Sequence, residues 1–330
     1  MAKTVVEEHK ELIHYTSAAG LAGILSSQAL WATHSSFLND SSEITLFFDR
    51  RLRQLLEVAV RSELADSDLQ LLPQFARTAQ QADETIGRYA SELTHAIRTT
   101  TMQFNEPYII SFCTAKDKRL RNDGLLGQWR GYGKDGGYAI VFDTGGLQEL
   151  LNLEAKAYWY QQVRWGDVHY YQDDADAQLA AEEIVEAEET LKKAVRGFLK
   201  NPNPVELEPT FEPMATLSCL YKHWGFHEEQ ELRIVAIPPN AELLTEGRLQ
   251  GESRPRRPTK SFVRGGCPVP YLELFGRVPE GAEPSCLPIT RILIGPHPQK
   301  DLRKRAVESM LEACNIQAEV VVSQIPYIGA

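Results

Sequence analysis

No stretch of this 330-residue chain approaches the eighteen or so uninterrupted apolar residues of a membrane-spanning helix. The opening MAKTVVEEHKEL also lacks the apolar core of a secretory signal, so a cytoplasmic protein with no membrane partner is expected. Cysteine is sparse. Cys113, Cys219, Cys267, Cys286 and Cys314 are odd in number, scattered and never in a CxxC pair, which argues for reduced thiols over a disulfide or zinc framework. Positive charge is in deficit: Lys and Arg total 35 against 45 Asp and Glu, a net charge of −10 that disfavours bulk capture of nucleic acid or anionic membrane. Two catalytic signatures are missing as well, the GxSxG nucleophile elbow and the HExxH metal helix. What remains is ordinary globular composition, 43% hydrophobic and 24% charged, in a chain long enough to bury a sizeable core.

The first elements alternate: a strand at Leu12–Tyr15, a helix from Ser17 to about Ser26 with Ser17 as its cap, and a strand around Leu30–Thr33. Asn39, Asp40 and Glu43 read as a capped entrance to a helical tract that reaches Gln103, with a break near Leu72 and Pro73. Strands follow at Pro107–Cys113 and Gly137–Asp143, and the aromatic run Ala157–Trp165 has strand composition. From Asp173 to Glu189 eight acids occur with no base, while Ile184, Leu191, Val195 and Phe198 recur at helical spacing, so an amphipathic helix with an acidic outer face is expected. The Pro-rich link NPNPVELEP leads into a helix ending near His223 and then the strand EEQELRIVAI. Arg248, Arg254, Arg256, Arg257, Lys260 and Arg264 mark an exposed basic loop entering a strand, and the chain closes with a strand (Ile289–Ile294), a helix (Asp301–Cys314) and a strand (Ala318–Val322). Strands are interleaved throughout without a clear linker. A single α/β domain over 1–330 is therefore expected, with helical insertions at 43–104 and 173–222, the second carrying the acidic face.

Several signals of chemistry weaken in context. Gly131, Gly133 and Gly136 fit GxGxxG, but a dinucleotide fingerprint must follow a strand and open a helix, whereas this one precedes a strand, with Asp143 too close to serve as the ribose acid. His223 and His227, four apart, suit a metal on one helix face, but Gly225 intervenes and no metal site is expected. The stronger constellation is dispersed: His14, Tyr15 and Thr16 on the first strand, Ser111 on a middle strand, and Glu229, Glu231 and Arg233 on a late one. Side chains two apart share a strand face, so the two carboxylates and the guanidinium are expected to project together, an arrangement that can shift a carboxylate pKa. The same E-x-E-x-R alternation also suits an edge strand carrying a salt bridge.

The ordered strings HYTS (His14–Ser17), NDSSE (Asn39–Glu43), ISF (Ile110–Phe112), QWRGYG (Gln128–Gly133), GYAIVFD (Gly137–Asp143), EQELRIV (Glu229–Val235) and SQIPY (Ser323–Tyr327) resemble a bacterial family named only as domain of unknown function 2971. More distantly, an opening strand with His, a following helix, an LWAT strand and a late E-x-E strand are similar to the ADP-ribosyltransferase fold. That resemblance implies an α+β architecture with a mixed, split β-sheet around a cleft for NAD, which is consumed as substrate. It implies Glu231 as the catalytic glutamate and Glu229 as the second acid. His14 and Thr16 would hold NAD, Ser111 would be the middle-strand serine, Arg233 would complete the late-strand site, and Tyr15, Trp129 or Tyr132 would supply an aromatic face for nicotinamide. The function so implied is an ADP-ribosyltransferase or NAD glycohydrolase serving as a toxin or phage-defence effector, with a protein or nucleic-acid acceptor and a regulatory partner protein. The alternative expectation is a non-catalytic recognition module, with the acidic helix docking a partner and the basic loop touching phosphate.

Overall fold

The computed structural model describes residues 4–38, 44, 47–65, 79–104, 107–114, 117–132, 136–171, 182–276 and 286–326. The expected helix entrance at Asn39–Glu43, the break at Leu72 and Pro73, the acids from Asp173 to Asp176, and Tyr327 lie outside them. Among the described residues, twelve strands run in chain order: β1 (Glu11–Thr16), β2 (Leu30–His34), β3 (Tyr108–Thr114), β4 (Tyr138–Asp143), β5 (Gln162–Asp167), β6 (His169–Tyr171), β7 (Tyr221–His223), β8 (Glu231–Ile237), β9 (Thr259–Arg264), β10 (Cys267–Leu274), β11 (Ile289–Ile294) and β12 (Glu319–Val322). The chain divides into two compact units, one made of 1–34, 108–168 and 225–330, the other of 35–107 and 169–224.

The first unit is built on a ten-stranded mixed sheet in the order β12-β11-β4-β1-β3-β2-β10-β9, with β8 added on β3 and β5 on β8. Its pairings are antiparallel except β11 with β12. The fold is thus mixed α+β, and no closed barrel forms among the described residues. Both faces of β4 are covered. Ile140 and Phe142 join the larger core with Leu12, Phe112, Leu232 and Ile234, while Ala139 and Val141 join Ile13, Tyr15 and Trp129 on the opposite face. Each large apolar side chain buried this way contributes about 1.5–3 kcal/mol.

Local chemistry sets the helices. Ser17 caps the helix Ala18–Ser27 by accepting the Gly20 amide at 3.1 Å, and Leu21 and Leu25, four apart, bury its inner stripe. Asp143 caps the helix Thr144–Ala157 through the Gly146 amide at 2.7 Å, so the acid that follows β4 is a capping group. That helix displaces the strand expected from Ala157. Leu147, Leu150, Leu151 and Glu154 lie at helical spacing and are all buried, which carries the helix to Ala157 and delays the strand to Gln162.

The second unit packs the helices Arg53–Ala65, Ala79–Phe104, Glu182–Lys200 and Phe211–Leu220 around its own core. Ile86, Ala90, Leu93 and Ile97 form the buried stripe of the longest helix, and Leu191 and Val195 that of the acidic one, whose Glu186 and Glu189 face solvent. The last helix ends at Leu220 and gives way to β7, which pairs in parallel with β6. Among the described residues, no helix is long and apolar enough to cross a membrane.

Candidate active site

A split in the sheet of the first unit makes the site. β1 and β3 pair over two residue pairs, Leu12 with Thr114 and Ile13 with Cys113. Beyond them the edge of β3 that faced β1 passes to β2, Thr33 with Ile109 and His34 with Tyr108, while β1 continues along β4 as far as Thr16 with Tyr138. His14 sits where they part, and its Nδ1 donates to the Ser111 carbonyl at 3.0 Å in place of a ladder bond. A carbonyl only accepts, so the proton is on Nδ1, and the neutral ring keeps Nε2 as an acceptor. Burial pushes the His14 pKa below its ordinary value, against the opposing pull of that hydrogen bond. The ring stays neutral at pH 7.

The mouth of the split is a cleft with about 340 Å³ of empty space, part of it open to solvent. His14, Tyr15, Ser111, Gln128, Tyr132, Glu229 and Glu231 line it, over a floor that includes Ile13, Phe112 and Cys113. Seven chemistry-bearing side chains separated by more than two hundred residues thus meet at one place. Register explains part of this: Cys113 stands opposite Glu231 and Ser111 opposite Arg233, so β3 and β8 present these residues to the same face.

The two acids are held differently. Glu231 opens β8 and is gripped by Arg233, Nε to Oε1 at 2.8 Å and Nη2 to Oε2 at 3.0 Å, both residues being buried. This bidentate pair keeps the carboxylate oriented. Glu229 does not lie on the strand. It closes a 3-10 turn, Trp224–Glu229, and Gln230 then adopts a left-handed conformation with φ of 44° before β8 starts. A left-handed backbone costs a non-glycine residue about 1–2 kcal/mol, and here the Thr114 amide and hydroxyl both donate to the Gln230 carbonyl, at 2.8 and 2.9 Å. The turn, not strand alternation, delivers Glu229 to the cleft. Nor is β8 an edge strand, since it pairs with both β3 and β5.

The aromatic residues divide. Tyr132 is exposed at the rim. Tyr15 is almost fully buried: its hydroxyl accepts the Leu125 amide at 2.7 Å, and its ring meets Trp129 edge to face at 4.8 Å. Burial, reinforced by Cys113, pushes the Tyr15 phenol well above the usual tyrosine range, so it remains a neutral hydroxyl. Trp129 has no exposed surface, because Gly124 and Gly295 press on its indole and its Nε1 donates to the Asp123 carbonyl at 2.9 Å. It is a wedge beneath Tyr15, and it offers no face to a ligand. Thr16 is also outside the cleft lining, with its hydroxyl packed against Gly20.

Gln128 was not among the expected site residues. It and Tyr132 stand four apart on the helix Leu126–Tyr132 and so share the face that turns to the cleft, a spacing visible in the string QWRGYG. Gln128 is buried, and no described residue hydrogen-bonds its carboxamide. As for metals, His223 lies in β7 and His227 in the 3-10 turn, so no helix face presents the pair. Glu8, His9 and Asp167 bring ligand atoms close together, but His9 Nε2 already bonds Asp167 Oδ1 at 3.1 Å, which fits a tether between the helix Val5–Glu8 and β5.

Residues 128–234 match the family described as Protein of unknown function (DUF2971). The match spans about a third of the chain, and it supports the resemblance drawn from the ordered strings. This DUF2971 segment starts at Gln128 and takes in Tyr132, Glu229, Glu231 and Arg233, most of one side of the cleft. No curated protein and no solved structure matches the chain. None of these comparisons carries the more distant likeness to ADP-ribosyltransferases.

Proposed function

We propose that the cleft binds NAD and cleaves its nicotinamide–ribose bond, as an ADP-ribosyltransferase-like enzyme or NAD glycohydrolase. The observation that carries this reading is that His14, Ser111 and Glu231, from three different strands, line one cleft at a split in the sheet. The cleft opens to solvent, so nicotinamide and the adjoining ribose would enter at its mouth with the adenosine half extending outward. The chemistry follows from the groups. As the C1′–N1 bond breaks, its electron pair leaves with neutral nicotinamide and positive charge develops on the ribose. The Glu231 carboxylate, fixed by Arg233, stabilises that charge and accepts a ribose hydroxyl. His14 Nε2 accepts a second hydroxyl, a role its neutral ring suits. Glu229 takes the proton from the attacking water or acceptor as the new bond to C1′ forms. Gln128 offers an amide to the carboxamide of nicotinamide, and Tyr132 a ring at the rim. With water as acceptor, NAD gives ADP-ribose, nicotinamide and a proton. With a macromolecular acceptor, the protein is an effector of the toxin or defence kind.

The test is incubation of the protein with NAD and separation of the products. Glu231→Gln keeps the side-chain shape and removes its charge, so nicotinamide release should fall by roughly 100-fold or more. Equal release from the variant would remove Glu231 from the mechanism. No release and no NAD binding by the parent protein would remove the reading itself.

A further inference from the structure

Away from the cleft, three aromatic rings gather on the outer face of β2, β10 and β9. Trp31 stacks on Tyr271 with centroids 4.3 Å apart and planes 29° from parallel, and Phe262 closes the group at 5.4 Å from Trp31 and 5.8 Å from Tyr271. Tyr271 is buried beneath its neighbours, yet Trp31 remains 43% exposed. An indole braced on Tyr271 and still partly open to solvent is a preorganised stacking surface. The strand β9 that carries Phe262 also carries Lys260 and Arg264, two residues to either side and therefore on the same face. Lys260 pairs with Glu273 at 2.8 Å, and Arg264 is exposed beside the Gly265–Gly266 turn, whose φ values of 59° and 79° make the tight two-residue hairpin.

Charge separates the occupants such a face can take. The chain as a whole is at −10, but its segment from Arg248 to Arg264 holds six basic residues and one acid, Glu252. Of these, Lys260 and Arg264 share the face of Phe262, whereas Arg257 is buried against Glu154 and Arg254 pairs with Glu252. Stacked rings flanked by two cations in an otherwise acidic protein match a polyanion with planar groups. An apolar protein partner calls instead for a broad greasy patch without charge. We infer that the Trp31–Tyr271–Phe262 face, flanked by Lys260 and Arg264, binds single-stranded nucleic acid, with a base stacked on Trp31 and phosphates met by Arg264 and Lys260. Single strands are specified because bases offer their faces only when unpaired and unstacked. This inference does not depend on the NAD reading.

Fluorescence anisotropy with a labelled oligothymidylate or oligouridylate at low salt reads the binding, with the same sequence in a duplex as comparison. The single strand should bind at least tenfold more tightly than the duplex. Trp31→Ala should weaken binding by roughly tenfold, and Trp31→Phe should restore part of the loss. Arg264→Glu, at an exposed position that leaves folding intact, should weaken binding and lower the slope of log affinity against log salt by about one. No binding by the parent protein, equal affinity for duplex, or unchanged affinity in a folded Trp31→Ala variant would each overturn the inference. So would a self-associated parent that Trp31→Ala converts to monomer in sedimentation, because a second copy would then cover the face.

Discussion

Replacing Glu154 should cost the first unit a large share of its stability. Glu154 is buried on the helix Thr144–Ala157, and its two oxygens gather three groups of donors. Tyr160 donates its hydroxyl at 2.7 Å, the Phe275 amide donates at 3.1 Å, and Arg257 approaches with Nη2 and Nε, each at 3.0 Å. Arg257 is buried as well and lies over the Tyr158 ring at 4.2 Å. Removing one partner of a buried ion pair leaves the other charge poorly solvated, so Glu154→Ala should cost about 3–5 kcal/mol. That compares with about 5–15 kcal/mol for a whole domain. Glu154→Gln keeps one accepting oxygen and should cost less, about 1.5–3 kcal/mol. Glu154→Leu combined with Arg257→Met removes both charges together and should recover most of the loss. Urea unfolding followed by both tryptophan fluorescence and circular dichroism measures each variant. A cost below about 1 kcal/mol for Glu154→Ala, or a double variant whose cost equals the sum of the two single ones, would refute the argument.

Two other expectations follow from the first unit. The His14 pKa is lowered in the folded protein, so the unfolded chain binds more protons near and below pH 6.5. Stability from this group is complete above the unfolded value and is lost as pH falls through the folded one, so urea midpoints should drop on acidification, and less in His14→Gln; parallel curves for the two proteins would contradict this. Tyr15→Phe leaves the Leu125 amide without its acceptor and should cost about 1–3 kcal/mol in the same assay, whereas a neutral result would mean that water replaces the hydroxyl.

Elements whose signals are local were readable from the chain. Ser17, with Leu21 and Leu25 behind it, announces a capped helix by residue type and spacing alone, and β4 shows itself as a short apolar run before a capping Asp. The misplacements arise where tertiary partners decide. Ala157 looked like the start of an aromatic strand because of the Tyr and Trp residues that follow it, and only Arg257, distant in sequence, makes the preceding Glu154 a buried helix residue. Glu229 looked like a strand residue because a left-handed Gln230 carries no glycine to reveal it. Trp129 looked like a ligand platform because nothing in sequence shows Gly124 and Gly295 closing over it. Arg257 looked like part of a solvated loop for the same reason as Glu154: its partner comes from far away. Strand order brought His14, Ser111 and Glu231 to one cleft, but their mutual approach depends on the split between β1 and β3, which residue patterns do not encode.

The two excursions that form the second unit bear on how the chain folds. The first leaves after His34 and returns at Tyr108, two residues that pair with each other, and the second leaves after Val168, whose amide bonds the Glu231 carbonyl, and returns at Gly225. Each excursion therefore occupies the place of a hairpin loop. Closing flexible loops of roughly 55 to 75 residues costs about 2.5 kcal/mol more than closing a tight turn, which handicaps the pairing of β2 with β3 and of β5 with β8. The helical core needs both excursions, since Phe47 and Ile97 from one pack in the same cluster as Leu191 and Met214 from the other. Neither hairpin gains a short, prefolded connection until the chain is made through residue 224. The strand bearing Glu231 is made only after that point, so the cleft is complete only once both excursions have been synthesised.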